Sequence, residues 1–215
     1  MDLFKNFLIN NVKWFSQGSL RFNFNNIILY IDPFDIDKNY NDADYIFISH
    51  PHFDHLSKID ISKVINDKTE FIIPESLERD LNKLGIEPKY KLKLNESKEF
   101  DQFKIKLVPA YNIIKTNCHP KEKNWAGCLI DFNNYNLYYT SDTELIPEMY
   151  DVNCNVIFLP LGQTYTFNSV DEAINAVVIT DAEYAIPVHY GKYEGTLEDL
   201  DYFIKNKKNF EVIVL

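Results

Sequence analysis

The segment His50-Pro51-His52-Phe53-Asp54-His55 puts three imidazoles and a carboxylate into six consecutive positions. Imidazole and carboxylate are the usual ligands of zinc and similar divalent ions. Nothing in a packed core requires such a run, so the residue types point to a metal centre. Pro51 biases His50 away from the helical region, and histidines at relative positions 0, 2 and 5 share no helix face. The segment therefore reads as a loop. The apolar run Tyr45-Ile46-Phe47-Ile48 before it reads as a buried strand. Ligands carried on the loop after a strand are how α/β scaffolds expose chemistry at sheet ends.

His50 and His52 are spaced to share one ion, while Asp54 and His55 point to another. A catalytic ion takes about three protein ligands plus an open position, so the remaining ligands must come from later strand ends. Two residues fit. Asp142 follows the apolar strand Leu137-Tyr138-Tyr139, and His189 follows Ala185-Ile186-Pro187-Val188. Each by itself reads equally well as a turn, cap or core residue. Their shared place at strand exits, alongside the early cluster, marks them as ligands.

The elements that must position these residues alternate along the chain. A hairpin is expected over 22–31 with its turn at Asn25-Asn26, and a second over 127–139 turned at Asn133-Asn134. Short strands are expected at 71–73, within 89–110, and at 156–161, 184–188 and 210–215. Helices are expected at 75–84 closed by Gly85, at 170–180 with Ser169 as N-cap and Glu172 at the capping-box position, and at 197–205. Leu3, Phe4, Phe7 and Leu8 have helical spacing that suits a short covering helix. Many strands with dispersed helices indicate two sheets flanked by helices.

Composition narrows the function classes. The 215 residues, 46% hydrophobic and 25% charged, suit one substantial core. A formal charge of −10 disfavours a nucleic-acid partner. No apolar stretch reaches the roughly 20 residues that span a bilayer, so no membrane role is expected. The N-terminus lacks a signal peptide's basic start, and Cys118, Cys128 and Cys154 form no Cys-x-x-Cys pair. Together they lead us to expect reduced thiols and a cytoplasmic location. The oligomeric state is not legible.

At this point the chain resembles a known superfamily. Ser49-His50-Pro51-His52-Phe53-Asp54-His55 is similar to the His-x-His-x-Asp-His signature of the metallo-β-lactamase-fold, metal-dependent hydrolases. Ile31-Asp32-Pro33-Phe34 resembles the Asp-Pro turn before that signature, and Val108-Pro109-Ala110-Tyr111-Asn112 the third-motif strand. Ser141-Asp142-Thr143 resembles the Gly-Asp-Thr motif, and Ile186-Pro187-Val188-His189-Tyr190 the final-histidine motif. The resemblance spans nearly the whole chain. It is nearest to the small branch that includes ascorbate-6-phosphate lactonase and, more distantly, the N-acyl phosphatidylethanolamine phospholipase D group.

The resemblance implies one domain over 1–215, folded as a four-layer αββα sandwich with its site at one edge of the two sheets. It implies one ion on His50, His52 and a third-motif ligand, and another on Asp54, His55 and His189, with Asp142 bridging. The cofactor implied is zinc, one or two ions, with manganese or iron as alternatives. A metal-bound hydroxide would be the nucleophile, oriented by Asp54, and the substrate a small ester such as a phosphodiester, lactone or phosphorylated metabolite.

The chain departs from the pattern at the third motif, where most relatives carry histidine and this one has Tyr111-Asn112. Three arrangements are open: Asn112 ligates through its carbonyl oxygen, His119 enters from the next loop, or the first site is incomplete. His119 is equally a candidate to touch substrate. Lys121 and Tyr165 are candidate substrate contacts, and Tyr111 a candidate proton donor. Two competing functions remain, a di-iron redox protein and a non-catalytic metal-binding scaffold.

Overall fold

A computed structural model describes residues 2–215, and its backbone forms two compact units, one up to residue 93 together with Leu215 and one over 94–214. In the first unit, Asp2 Oδ1 accepts from the N–H groups of Phe4 and Lys5 at 2.9 and 3.0 Å and starts α1 (Leu3–Asn11). Phe4 and Leu8, one turn apart, are its buried residues, and the helix packs on β1 (Val12–Trp14) and β2 (Leu20–Phe24). A hairpin links β2 to β3 (Ile27–Ile31) through Asn25 and Asn26, whose φ values of 51° and 73° are those of a type I′ turn. Asparagine tolerates that left-handed backbone, which is why Asn-Asn was legible as the turn.

The sheet then becomes parallel. β4 (Tyr45–Phe47), β5 (Glu70–Pro74) and β6 (Tyr90–Leu92) add in sequence order, giving a six-stranded sheet β1-β2-β3-β4-β5-β6. Parallel neighbours need crossovers, supplied between β4 and β5 by α2 (Lys58–Val64), between β5 and β6 by α3 (Glu78–Lys83), and between β3 and β4 by a segment without a helix. The helix expected over 75–84 begins instead as a 3₁₀ turn at Glu75–Leu77, because it leaves the strand directly at Pro74. Gly85, with φ 78°, closes it as expected.

Helix α2 was not anticipated, although Ser57-Lys58-Ile59-Asp60 carries a capping signature. The Ser57 hydroxyl accepts from Asp60 N at 3.3 Å, and the Asp60 carboxylate accepts from Ser57 Oγ at 2.7 Å, Lys63 Nζ at 2.9 Å and Ile36 N at 3.1 Å. Asp60 thus ties the loop after β3 to the helix after the histidine segment. Burial alone would raise its pKa, but the Ser57, Lys63 and Ile36 donors outweigh burial and hold it below the ordinary carboxylate value. A depressed folded-state pKa contributes stability that is complete above the unfolded value of about 3.9 and is lost as pH falls through the folded value. Asp60→Asn is therefore expected to cost about 1–3 kcal/mol at neutral pH. Urea midpoints at pH 7 and pH 3 should show the gap to wild type closing in acid; a constant gap would contradict the ionic part.

In the second unit, β7 (Ser97–Glu99), β8 (Lys104–Pro109), β9 (Ala126–Phe132) and β10 (Tyr135–Tyr139) pair antiparallel. Asn133 and Asn134 make a second positive-φ turn, at 52° and 66°. Then β11 (Val156–Pro160), β12 (Tyr184–Val188) and β13 (Glu211–Val212) add in parallel, giving the order β13-β12-β11-β10-β9-β8-β7. Every residue of β11 and β12 is buried, as parallel strands covered on both faces require. α4 (Val170–Ile179) packs on β11 and on α5 (Leu197–Asn206).

Two local expectations are corrected. Ser169 caps α4, but the Glu172 carboxylate accepts from Asn168 N and Leu145 N at 2.6 and 3.0 Å instead of closing a box on Ser169, so it anchors the loop after Asp142. The strand expected over 210–215 shrinks to Glu211–Val212, because it lies at the sheet edge with β12 as its sole strand neighbour. Among the described residues no helix is long and apolar enough to cross a membrane.

Candidate metal centre

In the first unit the histidine segment leaves β4 as a loop, as its sequence required. β3 and β4 run parallel and end together, Ile31 opposite Phe47. Asp32, the first residue past β3, therefore lies beside Ser49. Its Oδ1 accepts from Ser49 N at 2.8 Å, and its Oδ2 from Ser49 Oγ at 2.5 Å. His55 Nδ1 lies 2.7 Å from the same Oδ2. An ionised carboxylate only accepts, so that nitrogen carries the proton and Nε2 is left as an ion donor. His52 O accepts from the N–H groups of His55 and Leu56, at 3.0 and 2.8 Å, which curls the segment into a turn. That curl brings His50 Nε2 to 2.9 Å from His52 Nδ1, and Asp54 Oδ2 to 3.7 Å from His55 Nε2.

In the second unit the ends of parallel β10, β11 and β12 lie side by side. Asp142 follows β10 through Ser141, at φ 58°, and His189 follows β12 with φ 56°. His119 comes from the loop after β8. Its carbonyl accepts from Asn112 N at 2.8 Å, and its ring meets Trp125 edge-on at 5.7 Å. Both imidazoles reach one oxygen: Asp142 Oδ2 is 3.5 Å from His119 Nε2 and 3.4 Å from His189 Nε2. The rest of the loop is tied down by Glu144, whose carboxylate accepts from the N–H groups of Ile113, Ile114 and Lys115 at 2.8, 2.7 and 2.9 Å.

The Asp142 contacts are longer than hydrogen bonds, while His50 and His52, at 2.9 Å, stand at hydrogen-bond distance. An N–H···O bond spans about 2.7–3.2 Å, whereas two donors about 2.0–2.1 Å from a tetrahedral zinc stand roughly 3.3 Å apart. Both Asp142 contacts, at 3.4 and 3.5 Å, fall on the ligand side. The donor set, imidazole with carboxylate, suits zinc and also iron or manganese. His50, His52, Asp54, His55, His119, Asp142 and His189 all belong to donor groups able to hold an ion. The residues present fit a divalent metal.

The remaining candidates are placed differently. Tyr111 OH donates to Glu148 Oε2 at 2.7 Å and accepts from Lys121 Nζ at 2.8 Å, and Lys121 is 3.0 Å from Glu148 Oε1. Burial, with the Glu148 carboxylate, holds the Tyr111 hydroxyl above its ordinary pKa against the pull of Lys121. Both residues are thus engaged with Glu148, which matches the Lys121 charge. Asn112 is buried, and its Nδ2 donates to Tyr165 O at 2.7 Å and Lys115 O at 3.3 Å. Tyr165 itself is 46% exposed.

Three residues escaped the sequence reading as site residues: Ser49, whose Oγ lies 2.9 Å from His50 Nδ1; Asp32; and Glu194, whose Oε1 lies 3.1 Å from His189 Nδ1. Asp32 was noted only as part of a turn. Glu194 sits in a polar loop five residues past His189, with no local signal to set it apart.

Comparison with known proteins bears on the family and the fold. A UPF0173 metal-dependent hydrolase of Sulfurisphaera tokodaii is 23% identical over 222 residues, covering 95% of each chain. The crystal structure of a Parabacteroides distasonis protein, provisionally assigned as a metal-dependent hydrolase, superposes with a TM-score of 0.79 at 29% identity, over 94% of this chain and 91% of that one. The metallo-β-lactamase-fold protein YhfI of Bacillus subtilis superposes with a TM-score of 0.73 at 14% identity, over 93% and 89% of the two chains, and the mixed α/β architecture with two sheets is that fold. The profile of the beta-lactamase superfamily domain matches residues 23–190, from β2 to just past the final histidine. With the signature histidines and aspartates inside that span, the chain belongs to the beta-lactamase superfamily domain family.

Proposed function

We propose that the protein is a metal-dependent hydrolase of small esters, with phosphodiesters, lactones and phosphorylated metabolites as the substrate classes to test. His50, His52, Asp54 and His55 serve one centre with His119, Asp142 and His189, a reading supported by a family profile that runs without a break through both sets. The single observation that carries it is Asp142 Oδ2, flanked by two imidazole nitrogens at ligand spacing rather than hydrogen-bond spacing. His50, His52, His119, Asp54, His55, Asp142 and His189 are the residues that would hold one or two divalent ions, zinc first among them. His119 takes the third-motif role, since its Nε2 stands 3.5 Å from Asp142 Oδ2.

When bound, a divalent ion acidifies water from a pKa of about 15.7 to about 7 and polarises a carbonyl or phosphoryl oxygen. The chain's own residues do the rest. Asp54 orients the attacking water and accepts its proton. Asp32 holds His55 in the tautomer that presents Nε2. Tyr165, exposed beside the buried Asn112, is positioned to meet the substrate.

Elemental analysis of protein purified without added metal, paired with a panel of chromogenic phosphodiesters and lactones, tests this. The expected result is one to two equivalents of zinc and turnover of at least one class, abolished by a chelator and restored by zinc. Protein that holds no divalent ion under any loading condition would overturn it. His119→Ala is expected to lower zinc affinity and turnover by about 100-fold with little change in Tm. Full metal content and full turnover in that variant would remove His119 from the centre.

A further inference from the structure

We infer that Glu194 is a positioning residue that couples metal binding at His189 to the order of the rim loop 163–166. The inference rests on His189 being a metal ligand, as proposed above. Glu194 is 6% exposed, and its carboxylate is surrounded by donors. Oε1 lies 3.1 Å from both His189 Nδ1 and Thr166 Oγ1, and Oε2 accepts from Thr164 N at 3.0 Å and Tyr165 N at 2.8 Å. One oxygen therefore faces the ligand imidazole and the other holds two consecutive backbone N–H groups of the loop that carries Tyr165. Space for the carboxylate comes from Gly162, where a Cβ would collide with Glu194 Cδ and both its oxygens.

The chemistry of a bound imidazole gives this arrangement a direction. An ion at Nε2 withdraws charge from the ring and makes Nδ1–H a stronger donor, which tightens its hold on Oε1. The anchored carboxylate then holds Thr164 and Tyr165 more firmly through Oε2. Thermodynamic linkage makes the effect reciprocal, so a loop ordered first raises metal affinity by the same factor. The same loop borders a cleft of about 610 Å³ lined by Gln163, Thr164, Lys192, Tyr193 and Thr196, with Glu194 in its wall. Loading the metal thus shapes that cleft for the substrate.

The test measures zinc affinity by chelator competition and amide hydrogen exchange at Thr164 and Tyr165 with and without zinc. In the wild type, zinc is expected to slow exchange at both amides. Glu194→Gln preserves shape but offers one acceptor oxygen for two sets of donors, so zinc affinity should fall about 10–100-fold and zinc should no longer protect the two amides. Gly162→Ala leaves Glu194 chemically intact but displaces its carboxylate, and should shift both readouts the same way. If Glu194→Gln does not fold, Gly162→Ala decides. Wild-type affinity in the folded variants, or wild-type amides indifferent to zinc, overturns the coupling. His189→Ala separates the two readings: should it keep wild-type zinc affinity, the assignment of His189 as ligand fails first.

Discussion

Asp142→Ala is expected to abolish measurable turnover, a loss of more than about 10³-fold, and to cut bound metal, while leaving the fold in place. The size follows from its position. One carboxylate oxygen stands 3.5 and 3.4 Å from two imidazole nitrogens that arrive from different loops, after β8 and after β12. No other carboxylate approaches both rings among the described contacts, so its removal leaves His119 and His189 without the oxygen that stands between them. Stability should change little in the metal-free protein, because the loop around it is held by Thr143, Glu144 and Glu172. Thr143 Oγ1 donates to Tyr111 O at 2.8 Å, and Glu172 accepts from Leu145 N at 3.0 Å. Metal content by mass spectrometry, turnover on the responsive substrate and a thermal melt check the three parts. A variant with wild-type metal and more than a tenth of wild-type turnover would remove Asp142 from the centre.

The second large effect is expected at Asp32, and it is chiefly one of stability. This fully buried carboxylate serves Ser49 N, Ser49 Oγ and His55 Nδ1, at 2.8, 2.5 and 2.7 Å. Asp32→Ala leaves those three donors buried without their acceptor, at about 1–3 kcal/mol each before relaxation. A net loss of about 3–5 kcal/mol is expected, a large part of a typical domain's stability. Zinc affinity should fall about 10–100-fold as well, since His55 loses the partner that fixes its tautomer. Because Asp32 has φ 43°, alanine adds backbone strain of its own. Asp32→Asn avoids that, as asparagine tolerates the left-handed region, and isolates the acceptor. Urea unfolding with chelator competition reads both. Should Asp32→Asn lose under about 1 kcal/mol and bind zinc as wild type does, Asp32 is only a turn residue.

These residues share a feature of the backbone. Asp32, Ser141 and His189, each at or next to a strand exit, have φ values of 43°, 58° and 56°. Non-glycine residues there cost of order 1–3 kcal/mol each and persist only where the surroundings over-determine them. In each case the turn redirects a chain that would otherwise run on along its strand direction. Within each unit, the turn sets the direction of a side chain at its sheet end.

Much of the design is local and so was readable. Three imidazoles and Asp54 in six positions announce a metal ligand loop, and Pro51 excludes a helix. Apolar runs that end near Asp142 and at His189 pick out two more candidate ligands, because strand ends and their exit residues are encoded by neighbours in the chain. Paired asparagines marked both hairpin turns through their tolerance of positive φ. The capping signature Ser57-Lys58-Ile59-Asp60 was equally local, but the histidine run beside it masked the helix it starts.

The partners of those ligands were not readable. That His55 leans on Asp32, His189 on Glu194, and Tyr111 with Lys121 on Glu148 depends on hydrogen bonds between residues from 5 to 37 positions apart. No periodicity or cap encodes them. The surroundings of Asn112 and His119 were of the same kind: both are polar loop residues, and only the folded loop turns Asn112 Nδ2 toward Tyr165 and the imidazole toward Asp142. Sequence alone determined which chemistry the chain carries and at which strand ends, because residue type and local pattern suffice for that. Tertiary structure decided which polar groups meet each imidazole, Asp32 at His55 and Glu194 at His189, because those contacts are set by long-range packing.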